Sequence, residues 1–199
     1  MSSGLRTDGS GERKFLGRSC TDDCAEFKSP RWSPDGGRIA FEAFVVRAQS
    51  GVTSSGIWIV GARRGKGLRR VSKNGHEIDW APDGKRLVFR SRYSLQYRTG
   101  RVSGGNLVVV GAKGRSRRVL VHTKTTAAVS PAWSPDGRSI AYVDAAFTGG
   151  QESRDYRPRL KRVPARGGRT RTLARLPDYS GTDFEYIDPE ISWRPRPRR

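Results

Sequence analysis

Cysteine and histidine are scarce in this sequence, which has two of each among its 199 residues. A disulfide between Cys20 and Cys24 would close a very short loop, and short loops gain little stability from lost chain entropy. A structural metal site needs about four ligands, and His76 and His122 lie far from both cysteines in sequence. We therefore expect no metal site, while a disulfide and two free thiols stand as equal alternatives.

Long apolar runs are also missing from the chain. No segment approaches the roughly 18 consecutive apolar residues that a membrane span requires. The N-terminal stretch MSSGLRTDGSGERK has no apolar core of the kind found in secretion signals. Apolar residues at helical spacing are absent throughout, whereas alternating apolar residues recur, and this pattern predicts strands.

The sequence does contain an internal repeat. PRWSPDGGRIAF starts at Pro30, IDWAPDGKRLVF at Ile78 and PAWSPDGRSIAY at Pro131, and a clipped copy, EISWRPRP, starts at Glu190. The four tryptophans stand 48, 53 and 60 residues apart, and repeats of about 40–50 residues indicate stacked arrays or propellers. Proline followed by Asp-Gly favours a tight hairpin after each tryptophan. We expect a purely structural role for the repeated positions, which are Trp32, Pro34, Asp35, Gly36, Trp80, Pro82, Asp83, Gly84, Trp133, Pro135, Asp136, Gly137 and Trp193.

Each repeat predicts four antiparallel strands, with the Asp-Gly turn after the first strand and a Gly-rich basic turn before the fourth. Four strands per unit is the composition of a propeller blade, in which a tryptophan fills the wedge between neighbouring sheets. The predicted fold is therefore all-β, a β-propeller or partial propeller of about four four-stranded antiparallel blades in a single domain, 1–199. The predicted parts are the outer strands of a partial blade with the cysteine loop (1–28), three blades (29–73, 74–122, 123–186), and a first strand with a basic tail (187–199).

The segments WSPDGGRIAF, WAPDGKRLVF and WSPDGRSIAY closely resemble the PD40 (WD40-like) repeats of TolB-like β-propellers. The resemblance covers roughly residues 7–196. It implies a bacterial propeller that serves chiefly in protein binding, often in the periplasm or cell envelope. The cytoplasm is the alternative location, because the chain shows no signal peptide. The same repeat also occurs in propellers attached to serine peptidases, where the hydrolase is a separate domain.

Motifs for catalysis are absent as well. The chain has no G-x-S-x-G nucleophile elbow and no phosphate-binding glycine loop between a strand and a helix. We therefore expect no catalytic or cofactor-binding residue and no enzyme activity. The expected function is a non-enzymatic protein–protein interaction scaffold. The alternatives are a basic polyanion binder and a propeller fragment of a larger or split hydrolase, and oligomerisation would complete an incomplete ring.

Charge is strongly one-sided, with 39 basic against 19 acidic residues and a net charge of +20. Such a balance favours polyanionic partners such as nucleic acid or an anionic surface. The basic residues, however, recur in the turn before each fourth strand, and no aromatic residue interleaves them as in single-strand nucleic-acid binders. We expect these turns to protect outer strand edges, and the tail WRPRPRR to bind polyanions weakly.

Two groups of residues are candidates for binding a partner. The ends of the first strands approach one opening of a propeller, where acids would form a site for a cation or a basic peptide, unless they are scattered solvated loop residues. Segments 93–105 and 145–158 are expected to be long loops that carry tyrosines of the kind enriched in interfaces. The candidates are His76, Glu77, Asp79 and Glu190 at the opening, and Tyr93, Tyr97 and Tyr156 in the loops.

Overall fold

A computed structural model describes the backbone of residues 3–4, 13–14, 23–47, 51–97, 100–123, 126–148, 155–156, 158–177 and 191, and the side chains of 27–43, 56–91, 105–123, 126–145, 158–177 and 191. The regular elements of this described part are strands, and no helix in it is long and apolar enough to cross a membrane. In chain order the strands are β1 (Ser3–Gly4), β2 (Arg13–Lys14), β3 (Asp23–Trp32), β4 (Arg38–Arg47), β5 (Gly51–Gly61), β6 (Arg69–Ser72), β7 (His76–Trp80), β8 (Arg86–Tyr97), β9 (Gly100–Gly111), β10 (Arg118–Val121), β11 (Thr126–Trp133), β12 (Ser139–Thr148), β13 (Asp155–Tyr156), β14 (Arg159–Pro164) and β15 (Arg171–Arg175).

Three four-stranded antiparallel units follow one another along the chain. Blade 1 consists of β3–β6, blade 2 of β7–β10, and blade 3 of β11, β12, β14 and β15, with β13 paired to β12. A single parallel bridge, between Ala127 and Gly105, joins blade 3 to blade 2. Strands β1 and β2 form a separate two-stranded sheet. The predicted all-β fold of four-stranded blades is confirmed at this level.

The Asp-Gly turns close the first hairpin of every blade in the same way. Gly36, Gly84 and Gly137 have φ of 67°, 64° and 67°, a backbone region that favours glycine. The aspartate before each glycine accepts a hydrogen bond from the backbone two residues ahead, as in the 2.8 Å bond from Lys85 N–H to Asp83 Oδ1. The repeated dipeptide therefore sets the turn geometry locally, and each first strand returns as the second.

The segment expected to be a loop at 93–105 is instead an extended hairpin. Strands β8 and β9 stay paired from Arg86 opposite Gly111 to Tyr97 opposite Gly100, so their backbone groups bond to each other. Likewise β12 runs to Thr148, and β13 pairs with its end. The loop prediction was wrong because the strands continue their ladders past the length that the repeat motif indicates.

The blades stack face to face through alternating apolar residues. Leu87 and Phe89 of β8 pack in one core with Ile57 and Ile59 of blade 1, and Val88 packs in a second core with residues of blade 3. These side chains are fully buried, and each buried large apolar side chain contributes about 1.5–3 kcal/mol. Because successive side chains of β8 point to opposite faces of the sheet, this one strand contributes apolar residues to the cores on both sides of blade 2.

The repeated tryptophans do not share one environment. Trp80 and Trp133 are 5% and 4% exposed and lie in the cores between blades, as expected. Trp32 is 61% exposed, so the prediction that it fills a wedge between sheets was wrong. The physical reason is its position on blade 1, where no described blade packs against its ring. Trp193 lies outside the described residues.

Candidate functional site

Each first strand carries a bulge three residues before its tryptophan. Ser29, Glu77 and Ser130 have φ of 52°, 57° and 50°, and the strand register shifts at each of these positions. A positive φ is costly for a residue with a side chain and persists only where its surroundings enforce it. Strand β7 contacts both β3 and β11, so the three bulges lie on neighbouring first strands.

Carboxylates of one blade bind the bulge of the next. Glu42 Oε1 of blade 1 accepts a 2.6 Å hydrogen bond from the backbone N–H of Glu77 in blade 2. Glu77 Oε2 in turn accepts a 2.6 Å hydrogen bond from the N–H of Ser130 in blade 3. Charge-assisted bonds of this kind contribute about 1.5–3 kcal/mol each, which offsets the cost of the strained backbone.

Two basic side chains complete this polar cluster. His76 Nδ1 lies 3.2 Å from Glu42 Oε2, and both residues are buried. Arg90 donates from Nε to Glu77 Oε1 at 2.9 Å. Burial alone would raise the pKa of Glu42, but hydrogen bonds from His76 and from the Glu77 N–H outweigh it and hold that pKa below its ordinary value. Glu42 is therefore the ionised anchor of the cluster.

Asp79, two residues after Glu77 on β7, makes the same kind of contact with blade 3. Its Oδ2 accepts a 2.6 Å hydrogen bond from the backbone N–H of Trp133 in blade 3. Burial raises the pKa of Asp79, and hydrogen bonds from the N–H groups of Trp133 and Trp80 and the nearby Arg31 offset that rise only in part. Asp79 therefore links blades 2 and 3 at a higher electrostatic cost than Glu42 incurs between blades 1 and 2.

Arginines of one blade also stack on the buried tryptophan of the next blade. The Arg38 guanidinium lies 5.0 Å from the centre of the Trp80 ring and donates to Gly84 O at 2.8 Å. Arg86 takes the equivalent position over Trp133, at 4.7 Å. A cation over a desolvated indole contributes up to about 2 kcal/mol.

The basic turns before the fourth strands also reach across to the next blade. Arg69 Nη2 donates to Ala112 O at 2.9 Å, and Arg118 Nη2 donates to Ala165 O at 3.0 Å. Sequence reasoning assigned these turns to edge protection and missed the contacts between blades. Each of the two arginines is the first residue of the fourth strand of its blade, and this shared position was the available signal.

The structure brings His76, Glu77 and Asp79 together on β7, in a strand and not in a solvated loop. Sequence reasoning missed Glu42 and Arg90, which follow RIAF and RLVF at the same repeat position with opposite charge. Tyr93 and Tyr97 fall on the extended hairpin and Tyr156 on β13, with side chains outside the described set. Glu190, Cys20 and the side chain of Cys24 also lie outside it, so binding by these residues and the state of the thiols stay predictions.

The cluster is built to join blades. A carboxylate oxygen of Glu42, of Glu77 and of Asp79 accepts a hydrogen bond from a backbone N–H of the next blade. Within the described residues, no group of three or more His, Cys, Asp or Glu side chains is arranged to hold a metal ion. The chemistry that this arrangement supports is electrostatic attachment between blades.

Comparison with known proteins finds a relative that is named as a peptidase. No protein-family model matches the chain. The protein named "Uncharacterized peptidase YuxL", from Bacillus subtilis (strain 168), is 32% identical to it over 114 residues. That match spans 56% of this chain and 16% of the length of the relative.

Solved structures support the fold. An oligogalacturonate lyase in complex with manganese matches with a TM-score of 0.60 and 13% identity over 88% of this chain and 48% of the other. The β-propeller domain of the Trilobed protease from Pyrococcus furiosus matches with a TM-score of 0.53 and 15% identity over 80% and 45%. At these identities the similarity shows the fold alone, and it confirms the predicted propeller class.

The comparison contradicts the expectation of a non-enzymatic interaction scaffold and the expectation of no enzyme activity. The relative that matches in sequence is named as a peptidase. This similarity favours the alternative that the chain is a propeller fragment of a larger or split hydrolase.

Proposed function

We propose that this chain is the propeller part of a peptidase-type serine hydrolase and that its blades carry repeats of the PD40 type. The observation that supports this most is the 32% identity over 114 residues to a protein named as a peptidase. The repeat resembles that of propellers attached to serine peptidases, and the blades stack as such a propeller requires.

The polar groups of the described blades are consistent with a propeller that holds a catalytic domain and does not itself carry the catalytic residues. A catalytic triad needs a nucleophile and a histidine that exchanges protons with it, open to substrate. His76 is instead buried at the junction of blades 1 and 2, against Glu42. In this proposal the catalytic residues lie outside the described blades, and the blades provide a rigid body against which a catalytic domain is held.

Binding of polyanions is less well supported by the contacts. Arg38 and Arg86 stack on tryptophans, and Arg69 and Arg118 bond to carbonyls of the next blade. Arginines engaged in this way present less free charge to a phosphate backbone. Polyanion binding would also weaken steeply with salt, which separates it from a packed protein interface.

The proposal is tested by labelling the native assembly with a fluorophosphonate, a probe that reacts with activated serines. The tagged chain is purified from its own cells at about 0.15 M salt and washed at about 0.5 M, where the screening length falls to a few Å. We expect a labelled polypeptide that contains or accompanies the chain, and loss of the label after heat denaturation. Absence of any labelled polypeptide in the washed assembly would contradict the proposal.

A further inference from the structure

The two turns at one end of each blade lie side by side. Because neighbouring strands are antiparallel, the Asp-Gly turn after the first strand and the basic turn before the fourth strand fall at the same end of the sheet. In blade 1 the N–H of Ala62 donates to Gly37 O at 2.9 Å, and the equivalent bonds of blades 2 and 3 are both 2.8 Å long. We call this surface the turn end, and it comprises residues 33–37, 61–68, 81–85, 111–117, 134–138 and 165–170.

The turn ends of the three blades are continuous with one another. A methyl group added to Gly137 in blade 3 would lie 3.7 Å from the Pro82 ring in blade 2. The basic turn of blade 2 packs against the fourth strand of blade 1, since a methyl group added to Gly114 would lie 3.6 Å from the Cα of Val71. The exposed charges of the three blades therefore lie on one connected surface.

Each basic turn exposes cations and contains no acidic residue. Two cations from each turn are Arg63 and Lys66, Lys113 and Arg115, and Arg166 and Arg169. Within the described part of the chain, no carboxylate forms an ion pair with any of these side chains. Lys85 and Arg138 add exposed cations in the Asp-Gly turns of blades 2 and 3. Every blade therefore contributes unpaired positive charge to the turn end.

The carboxylates at the turn end are bound inside their own turns. Asp83 accepts hydrogen bonds from the N–H of Lys85 at 2.8 Å and from Arg86 Nη2 at 2.9 Å. Asp35 and Asp136 each accept a 3.0 Å hydrogen bond from the backbone N–H two residues ahead. These acids leave the cations of the basic turns uncompensated, so the turn end carries a net positive charge.

Duplex DNA is the partner whose chemistry fits the turn end. Its backbone carries one negative charge per roughly 1.7 Å, so it offers phosphates to the cations of several blades at once. An arginine such as Arg115 matches a phosphate through two parallel hydrogen bonds. These turns contain no aromatic residue on which the bases of a single strand would stack. Among them, Leu68 alone is an exposed large apolar side chain, whereas binding at a membrane surface uses a whole apolar face.

We infer that the turn end of the three blades binds the phosphate backbone of duplex DNA without reading its base sequence. The arginines that join the blades are a different set, because Arg38, Arg69, Arg86 and Arg118 contact carbonyl oxygens or tryptophan rings of the next blade. The inference goes beyond the proposed function and does not depend on it, since these contacts need no catalytic domain.

Fluorescence anisotropy of a short DNA duplex of mixed sequence, titrated with the full chain, tests this inference. The turn-end variant combines Arg63→Gln, Arg115→Gln and Arg166→Gln, and so removes one cation from each basic turn. Each lost phosphate contact makes the slope of log affinity against log salt shallower by about 0.9. We expect this slope to become shallower by about 2–3 in the variant, and binding at about 0.1 M salt to weaken about 100-fold or more.

The control variant removes three exposed cations at the opposite end of the blades. Lys73 follows β6, and Arg159 pairs with Arg175 at the far end of the β14–β15 ladder. The combination of Lys73→Gln, Arg159→Gln and Arg175→Gln lowers the net charge as much as the turn-end variant does, and we expect the salt slope of the wild type. All six side chains are exposed, so both variants should melt at the temperature of the wild type.

Several results would overturn the inference. Equal losses in the two variants would show that charge spread over the whole surface accounts for binding. Absence of binding by the wild type, tighter binding of a single strand of the same sequence, or displacement of the duplex by phosphatidylserine vesicles or polyglutamate at equal charge concentration would each contradict a site for duplex DNA.

Acetylation of lysines by an N-hydroxysuccinimide ester maps the bound surface on the unaltered chain. Lys66, Lys85 and Lys113 are exposed at the turn end, and Lys73 is exposed at the opposite end. We expect the duplex to suppress acetylation of the three turn-end lysines and to leave Lys73 reacting as it does without DNA. Equal protection of all four lysines, or protection of none of the three, would also overturn the inference.

Discussion

The interface between blades 1 and 2 differs from that between blades 2 and 3 in its polar contacts. Both have an arginine over a tryptophan and a carboxylate on a strained bulge. In the first, Trp80 Nε1 donates to Arg31 O at 3.0 Å. In the second, Trp133 Nε1 is buried and makes no hydrogen bond to the described residues, and the buried Asp79 has a raised pKa. The repeated residues thus build equivalent apolar contacts, while residues outside the repeat decide how well each interface satisfies its polar groups.

Replacing Glu77 should have the largest effect, because its side chain binds the bulge of blade 3 and also pairs with Arg90 of its own blade. Glu77→Ala removes the acceptor for Ser130 N–H and leaves Arg90 without its carboxylate in a buried setting. Breaking a buried ion pair from one side costs about 3–5 kcal/mol in the free energy of unfolding, measured here by urea titration. Glu77→Gly separates the contribution of backbone strain, since glycine tolerates the positive φ. A loss below about 1 kcal/mol would contradict a role in joining the blades.

The two buried tryptophans should respond unequally to loss of their indole nitrogen. Trp80→Phe breaks the hydrogen bond to Arg31 O, whereas Trp133→Phe removes a buried N–H that has no acceptor among the described residues. Both variants lose similar packing, so we expect Trp80→Phe to cost about 1 kcal/mol more. Urea unfolding of the two variants measures the difference, and an equal or reversed cost would show that the interfaces do not differ in this way.

Glu42 and Asp79 should have opposite effects on how the free energy of unfolding changes as the pH falls. The pKa of Glu42 is lowered in the fold, so its stabilising contribution is complete above its ordinary value of 4.5 and is lost as pH falls through the folded pKa. The pKa of Asp79 is raised above 3.8, so its contribution grows as pH falls through its folded pKa.

Glu42→Gln should therefore flatten the loss of stability below about pH 4.5, and Asp79→Asn should steepen it. A tenfold difference between the folded and unfolded acid dissociation constants of either carboxyl corresponds to about 1.4 kcal/mol of stability. Urea titrations at several pH values between 3 and 7 on the wild type and both variants measure these slopes. Parallel slopes for all three proteins would contradict the assigned environments.

The arginines over the tryptophans should give the smallest difference. Arg38→Met loses the stack on Trp80 and the hydrogen bond to Gly84 O in the next blade. Arg86→Met loses the stack on Trp133, and among the described residues the Arg86 side chain donates hydrogen bonds to Asp83 of its own turn. We expect Arg38→Met to cost about 0.5–1 kcal/mol more in thermal or urea unfolding. Identical costs would mean that the bond to Gly84 adds nothing to the interface.

Local sequence patterns predicted the hairpins, the four-stranded units and the buried faces of the strands. Asp-Gly turns and alternating residues such as Leu87 and Phe89 depend on neighbours close in sequence, which a single chain reveals. The contacts of Glu42, Arg38 and Arg69 join residues of different blades, far apart in sequence, and depend on how the blades stack. Propensity and periodicity carry no information about such pairs, and they were missed for that reason.

The function was harder to predict than the fold. Propeller repeats of one type serve both in binding proteins and beside hydrolases, since a fold does not determine its function. The absence of a nucleophile motif in these blades predicted a non-enzymatic protein. The similarity to a protein named as a peptidase overturned that prediction and left the fold prediction intact.

The most direct test of the hydrolase assignment is the peptide-hydrolysis rate of the native assembly. Fractions that contain the tagged chain are assayed with a panel of aminoacyl and acylaminoacyl p-nitroanilides, before and after treatment with fluorophosphonate. We expect hydrolysis to elute with the chain and to disappear after treatment. Only background hydrolysis of every substrate, in fractions where the intact assembly is present, would contradict the assignment.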